Sequence, residues 1–203
     1  MIPTRTPAAS APPLHPGDAL LLVDVQNDFL PGGALGVADG DEIIAPLNRL
    51  LADFSRRELP VFATRDWHPR NHCSFRPQGG PWPPHCIAGT PGAQFPAALA
   101  LPAGTHVISK ATHPGADAYS GFEGTDLLQQ LRAAGCTRVY IGGLATDYCV
   151  RATTLDALAA GLDAIVLEDA VRAVNLQPED GARALEEMST RGARILATPQ
   201  ALA

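Results

Sequence analysis

The stretch Gly142-Gly143-Leu144-Ala145-Thr146-Asp147-Tyr148-Cys149-Val150 joins a predicted strand to a predicted helix. Before it, Arg138–Ile141 has the β-branched and aromatic residues that are typical of a short buried strand. After it, apolar residues recur at helical spacing, which predicts a helix over Thr146–Ala160. The pair of glycines allows a sharp turn between the two elements. The stretch therefore predicts a strand that turns directly into a helix.

Cys149 falls in the first turn of this predicted helix, which Thr146 or Asp147 could cap. The positive end of a helix dipole stabilises a thiolate there, and the N–H groups of a first turn lack intrahelical partners. The turn thus offers a nucleophile together with donors for a developing oxyanion. The alternative is that Cys149 is a small buried apolar residue, which is the commoner role of a free cysteine.

Five more segments have the apolar content of buried strands. They are Asp18–Asp24, Leu59–Thr64, Thr105–Ser109, Ala164–Leu167 and Ala193–Ala197. Between them, helical periodicity predicts helices over Asp41–Arg57, Thr125–Ala134 and Glu179–Thr190. Strands that alternate with helices, without an internal repeat, predict an α/β fold. We expect a doubly wound, mostly parallel six-stranded sheet with helices on both faces.

Composition narrows the class of protein. The chain has 203 residues, with 15 Lys and Arg against 21 Asp and Glu, and its net charge of −6 without a basic run argues against nucleic acid and anionic membranes. No apolar run is long enough to span a membrane, and the Pro/Ala-rich start lacks the apolar core of a signal peptide. We therefore expect a disordered tail over residues 1–17 and a single cytoplasmic domain over residues 18–203. The four cysteines form no CxxC pair, so structural disulfides are not expected.

Three of the predicted strands lead to a reactive side chain, namely Asp24, Lys110 and Cys149. In a doubly wound sheet the carboxyl ends of the strands share one edge, where ligands bind. A lysine beside a cysteine is expected to lower the thiol pKa, and a carboxylate could carry the proton. Together they predict acyl transfer through a thioester. The alternative is a solvated Lys110 and an Asp24 that only shapes a turn.

A second group of polar residues lies just before and within the stretch 70–102, where little regular structure is predicted. Asp66 and His68 are two residues apart and would point the same way in an extended chain, and His72 and His85 follow. One carboxylate with several imidazoles suits a divalent zinc, iron or manganese ion. The alternative is a polar loop with unrelated histidines. Its aromatic residues, histidines and cysteines favour an ordered loop over a disordered one.

Several motifs resemble those of the nicotinamidases, also called pyrazinamidases, which are members of the isochorismatase-like cysteine hydrolases. The resemblance runs from about Asp18 to the C-terminus. It rests on Leu22-Val-Asp-Val-Gln-Asn-Asp-Phe29, Arg65-Asp-Trp-His-Pro69, Asn71-His-Cys-Ser-Phe75, Trp82-Pro-Pro-His-Cys86, Lys110 and Gly143-Leu-Ala-Thr-Asp-Tyr-Cys149.

The resemblance implies a role for each residue that matches a family motif. Cys149 would be the nucleophile, Asp24 the proton-transfer residue and Lys110 the cation of the triad. The peptide bond between Leu144 and Ala145 would be cis, with the Ala145 and Cys149 N–H groups directed at the oxyanion. Asp66, His68 and His85 would bind the metal, with His72 as a fourth ligand in some relatives. Phe29, Trp82 and Tyr119 would wall the pocket for the substrate ring.

The implied activity is hydrolysis of nicotinamide, and also of pyrazinamide, to the acid and ammonia through a thioester, as in NAD salvage. The partner would be this small molecule, with one divalent metal (Zn, Fe or Mn) as cofactor, and a homo-oligomer is left open. Two alternatives remain. One is an amidohydrolase of the same superfamily that acts on a carbamoyl or ureido compound. The other is a non-catalytic module that binds a metal or a ligand.

Overall fold

A single parallel sheet organises the computed structural model, which describes residues 13–201 apart from the side chains of residues 199 and 200. Its strands are β1 (Asp18–Val23), β2 (Val61–Asp66), β3 (His106–Lys110), β4 (Arg138–Leu144), β5 (Asp163–Arg172) and β6 (Arg194–Leu196). The strand order is β3-β2-β1-β4-β5-β6, and each neighbouring pair is parallel. The predicted doubly wound six-stranded sheet is confirmed, and it is parallel throughout.

Helices cover both faces of this sheet. They are α1 (Ile44–Arg56), α2 (Leu127–Ala133), α3 (Arg151–Ala159), α4 (Asp180–Thr190) and the short α5 (Thr198–Ala201). Alternate residues of β1 enter two separate buried clusters. Leu20 and Leu22 pack with the apolar face of α1, whereas Leu21 and Val23 join the cluster that contains residues of α2, α3 and α4. The continuous apolar run of β1 is thereby explained, because a central strand is buried on both sides.

The glycine pair after Ile141 does not form the predicted turn, because β4 continues through it to Leu144. Gly143 has a φ of 130°, and a Cβ atom there would lie 2.0 Å from the carbonyl oxygen of Val23. Glycine is thus required by the close approach of β4 to β1. Beside it, β5 extends beyond the predicted Leu167 to Arg172, with an irregular register between Ile141 and Gly143.

The predicted helix over Thr146–Ala160 is wrong in its first turn. Thr146–Val150 forms a π-helical turn in which Val150 N–H donates to the Ala145 carbonyl at 3.1 Å, and α3 begins only at Arg151. No side chain caps the turn, so the predicted capping by Thr146 or Asp147 is also wrong. Apolar spacing cannot distinguish a wide turn from an α-helical one over so few residues, and π turns are frequent at functional sites.

The predicted tail falls mostly on residues 1–12, which lie outside the described residues. Leu14 is buried in the core cluster, so packing begins somewhat before the predicted domain start at Asp18. The stretch 70–102 is irregular, as predicted, and contains short 3-10 turns at Arg76–Gln78 and Pro91–Ala93. Within residues 13–201, no helix has the length and apolar content to cross a membrane.

Candidate active site

The structure brings Asp24, Lys110 and Cys149 together. Asp24 follows β1, Lys110 ends β3 and Cys149 lies in the π turn after β4. The Lys110 Nζ atom is 3.0 Å from Asp24 Oδ2 and 3.6 Å from Cys149 Sγ, and a carboxylate oxygen of Asp24 lies within 4.8 Å of the same sulfur. All three residues are buried. They meet where the strand order reverses between β1 and β4, which is where open α/β sheets bind ligands.

Lys110 also contacts Asp66, a link that the sequence analysis missed. Its Nζ atom lies 2.5 Å from Asp66 Oδ1 and donates to the Ala118 carbonyl at 3.0 Å. Asp66 and Lys110 are direct partners in the register of β2 and β3. Burial opposes the charge of Lys110, but Asp24 and Asp66 raise its pKa well above the usual value. The ammonium group therefore stays charged and joins the two predicted polar clusters.

The pKa of Cys149 contradicts the sequence expectation. Burial raises the pKa of the thiol well above its usual value, Lys110 lowers it, and Asp24 and Asp66 raise it further. Desolvation of the buried sulfur is the largest of these causes. Cys149 therefore holds its proton at rest, and a base has to remove it.

Asp24 has the surroundings of such a base. Burial raises the pKa of its carboxyl group, while Lys110 opposes that shift. The Thr64 hydroxyl donates to Asp24 Oδ1 at 2.7 Å and favours the ionised form. The Oδ2 atom lies 3.0 Å from the Lys110 ammonium group, which also favours the ionised form. With a carboxylate oxygen within 4.8 Å of the Cys149 sulfur, Asp24 is placed to accept the thiol proton.

The predicted metal ligands Asp66, His68 and His85 are also assembled. One ligand atom from each lies within 4.8 Å of the other two, and all three residues are buried. His68 Nδ1 is 3.1 Å from the His85 carbonyl, and His85 Nδ1 is 2.8 Å from the Pro83 carbonyl. Because the Nδ1 atom of each ring has a carbonyl partner, the Nε2 atom of each ring is left to bind a metal. Burial lowers the pKa of His68 to about 4, which favours the neutral imidazole that metals bind. This donor set fits zinc, iron or manganese.

His72 is placed differently from the other three. Its ring lies 4.3 Å from the His68 ring, but its Nδ1 atom is 2.8 Å from Ser74 Oγ and its Nε2 atom is 3.0 Å from the Ala116 carbonyl. It forms a separate group with His68 and Asp117. Its role as a fourth ligand stays a prediction, and it would require His72 to give up one of these contacts.

Residues of both groups line one cavity that is partly open to solvent. Cys149 and Ala145 line it together with Asp66 and His85. The predicted ring-binding residues Phe29, Trp82 and Tyr119 all line it. Sequence reasoning missed four other lining residues, namely Leu35, Val37, Tyr148 and Val174. Of these four, only Tyr148 lies in a motif that matches the family, so no local sequence signal pointed to the other three. The peptide bond between Leu144 and Ala145 is cis, as the resemblance implied.

Gln26 holds the backbone of one predicted metal ligand, Asp66. Its buried side chain donates through Nε2 to the carbonyls of Asp66, at 2.8 Å, and Ala93, at 2.9 Å. Its Oε1 atom accepts the Asp66 N–H at 2.8 Å. The backbone of Asp66 is therefore clamped on both sides of its Cα atom. Gln26 lies in a quoted motif, but its partners could not be read from the sequence.

Residues 18–200 of the chain match the model of the isochorismatase domain. The chain belongs to the isochorismatase family. Among curated members, the nicotinamidase of Escherichia coli (strain K12) is 41% identical over 201 residues, which cover 89% of this chain and 94% of that relative.

Two solved structures of the family resemble this one closely. The pyrazinamidase of Pyrococcus horikoshii, in complex with zinc, has a TM-score of 0.86 and 54% identity, and the match covers 90% of this chain and 99% of that chain. PnC1 from L. infantum, in complex with nicotinate, has a TM-score of 0.85 and 35% identity, with 94% and 98% of the two chains covered. The isochorismatase-family fold is thus shared over nearly the whole chain.

Proposed function

We propose that this chain is a metal-containing cysteine amidohydrolase that converts nicotinamide to nicotinate and ammonia, and also accepts pyrazinamide. One observation carries the proposal: Cys149, which is grouped with Asp24 and Lys110, lines the same cavity as Asp66 and His85, which are grouped with His68. Nicotinamide has matching chemistry, since a flat ring carries both an electrophilic carboxamide and a basic nitrogen. The similar proteins named nicotinamidase and pyrazinamidase support the same substrate class.

Acylation begins with the buried thiol. Asp24 Oδ2 accepts the proton of Cys149, and the sulfur attacks the carboxamide carbon. Lys110 offsets the negative charge that moves from the carboxylate to the sulfur. The N–H groups of Ala145 and Cys149 donate to the oxyanion, an interaction that contributes about 3 kcal/mol per donor in other enzymes. The C–N bond then breaks as Asp24 returns its proton to nitrogen, and ammonia leaves a nicotinoyl thioester.

Deacylation uses the same carboxylate. Asp24 accepts a proton from water as the water oxygen attacks the thioester carbon. The C–S bond breaks and Asp24 returns that proton to the Cys149 sulfur. The acid that is released gives up the second proton of the water to solvent and becomes nicotinate. Phe29, Trp82 and Tyr119 hold the ring and restrict the access of bulk water during both steps.

Asp66, His68 and His85 would hold the metal beside the cavity. When bound, the metal supplies a Lewis acid that attracts the ring nitrogen of the substrate. The nicotinate that the enzyme produces would enter NAD salvage, and a cytoplasmic location fits that role. No partner beyond the small molecule is required, although the chain could act as a homo-oligomer.

The buried imidazoles favour nicotinamide over the two alternatives. An amidohydrolase for a carbamoyl or ureido compound needs the triad but has no need of a grouped carboxylate and two imidazoles beside the cavity. A non-catalytic module needs no base beside its cysteine. Here a carboxylate oxygen of the buried Asp24 lies within 4.8 Å of the Cys149 sulfur.

The test is ammonia release from nicotinamide before chelation, after chelation and after zinc, iron or manganese is restored. We expect turnover by the metal-loaded protein, a loss of at least about tenfold after chelation, and recovery with metal. Full turnover by protein shown to be free of metal would contradict the role of the metal. Release from a ureido compound alone would favour the first alternative. No release, with a Cys149 that resists thiol reagents, would favour the second.

A further inference from the structure

The turn Thr146–Val150, which contains Cys149 and is called the nucleophile turn below, is connected by the Asp147 carboxylate to another part of the chain. Asp147 lies two residues before Cys149, and its side chain does not cap the turn in which it stands. Its Oδ1 atom accepts the N–H of Val174 at 3.0 Å, and its Oδ2 atom accepts the N–H of Asn175 at 2.8 Å. Hydrogen bonds to an ionised carboxylate are about twice as strong as neutral ones. Asp147 therefore fastens the segment that follows β5.

That segment forms part of the cavity wall. Val174 lines the cavity together with Tyr148 and Cys149, and it also packs against the core cluster. Residues 173–179 connect β5 to α4, and the Oδ1 atom of Asn175 accepts the N–H of Gly181 in α4 at 2.9 Å. The segment is thus attached to α4 on one side and to the nucleophile turn on the other. A displacement of its backbone would move Val174 relative to the cavity.

We propose that Asp147 is a positioning residue that sets the distance between the Val174 wall and Cys149, and so decides which substituents on the substrate ring are admitted. The inference rests on the proposed function. Because the carboxylate and the nucleophile come from the same turn, the wall is placed relative to the reacting sulfur itself. Asp147 touches neither substrate nor reacting atoms, and its effect is on the fit of the ring.

The test measures kcat and KM for nicotinamide and for nicotinamides methylated at ring positions 4, 5 and 6. In Asp147→Ala we expect KM for nicotinamide to rise about tenfold, with kcat changed by less than about threefold. Discrimination against at least one methylated nicotinamide should fall about tenfold, since one methyl group is worth about that much in a close-fitting pocket. Asp147→Asn keeps one acceptor oxygen and should show a smaller effect in the same direction.

Val174→Ala enlarges the same wall directly and should relax discrimination at the same ring position. Asp169→Ala is the matched control. Asp169 Oδ1 accepts both the N–H and the hydroxyl of Thr198 at 2.8 Å, which ties β5 to α5, and it does not line the cavity. Its loss should lower the free energy of unfolding without changing the selectivity between nicotinamides.

Unchanged selectivity in folded Asp147→Ala and Asp147→Asn, within about twofold of wild type for every methylated substrate, would overturn the proposal. Urea unfolding establishes that each variant is folded. If Asp147→Ala does not fold, Asp147→Asn and Val174→Ala decide the question. Wild-type selectivity between nicotinamide and the methylated nicotinamides in both variants would contradict the proposal. A wild-type protein that releases no ammonia from nicotinamide would instead refute the proposed function.

Discussion

The sulfur of Cys149 lies within 4.8 Å of a carboxylate oxygen of Asp24, and both residues are buried. Burial and the carboxylates of Asp24 and Asp66 keep that proton on the sulfur, although Lys110 favours the thiolate. In the proposed mechanism, Asp24 has to be ionised before it can act as the base for this thiol.

The pH dependence of turnover is also a property of individual residues. Burial raises the pKa of Asp24 above the usual aspartate value, so kcat/KM should fall as the pH drops through that raised pKa. The Thr64 hydroxyl donates to Asp24 Oδ1 and favours its ionised form. Thr64→Val keeps the side-chain shape and removes this donor, which raises the pKa of Asp24 further. We predict that the acid limb of the kcat/KM profile moves to higher pH.

Thr153→Val is the control for this shift. Thr153 is also buried, and its hydroxyl oxygen accepts the N–H of Gly121 at 2.9 Å. The hydroxyl of Thr64, in contrast, donates to Asp24 of the triad. The acid limb of the kcat/KM profile of Thr153→Val should coincide with that of the wild type. A Thr64→Val profile that superimposes on the wild type would show that Asp24 does not set the acid limb.

At the scale of elements, the site depends on which strands are neighbours. Asp66 ends β2 and Lys110 ends β3, and the register of these strands makes the two residues partners. The sequence singled out Lys110 as a reactive residue and Asp66 as a metal ligand. It assigned them to separate groups because strand register depends on long-range packing. The same limit hid Gln26, whose amide joins the chain after β1 to the end of β2.

Gln26→Ala tests this connection between elements. Without the amide, both the N–H and the carbonyl of Asp66 lose a buried partner, and the orientation of the Asp66 carboxylate is no longer fixed. We predict that the affinity for zinc falls about 10- to 100-fold, as it does when outer-sphere partners of metal ligands are removed elsewhere. Competition with a chromophoric chelator measures the affinity directly, without an activity assay.

Asn27→Ala provides a neighbouring amide as the control. Asn27 Nδ2 donates to the Pro91 carbonyl at 2.8 Å and contacts no metal ligand. Its zinc affinity should match that of the wild type within about threefold. Wild-type affinity in Gln26→Ala would mean that Asp66 holds its place without the clamp.

For the molecule as a whole, the alternation of apolar strands and amphipathic helices was sufficient to predict the sheet and its layers. The reactive residues at strand ends were also predictable, because Asp24, Lys110 and Cys149 follow recognisable strands. The π turn around Cys149 was not, since one turn leaves no distinct periodicity. Nor were Leu35 and Val174, whose place in the cavity wall results from segments far apart in sequence.

The central claim is that Cys149 is acylated by the carboxamide carbon of nicotinamide. The most direct measurement mixes the metal-loaded protein with nicotinamide, quenches the reaction in acid within milliseconds, and determines the mass of the peptide that contains Cys149. We predict that this peptide gains one nicotinoyl group, and that folded Cys149→Ala, with wild-type metal content, gains none and releases at least about a thousandfold less ammonia. Near-normal ammonia release by that variant, or a nicotinoyl group on another residue, would contradict the account.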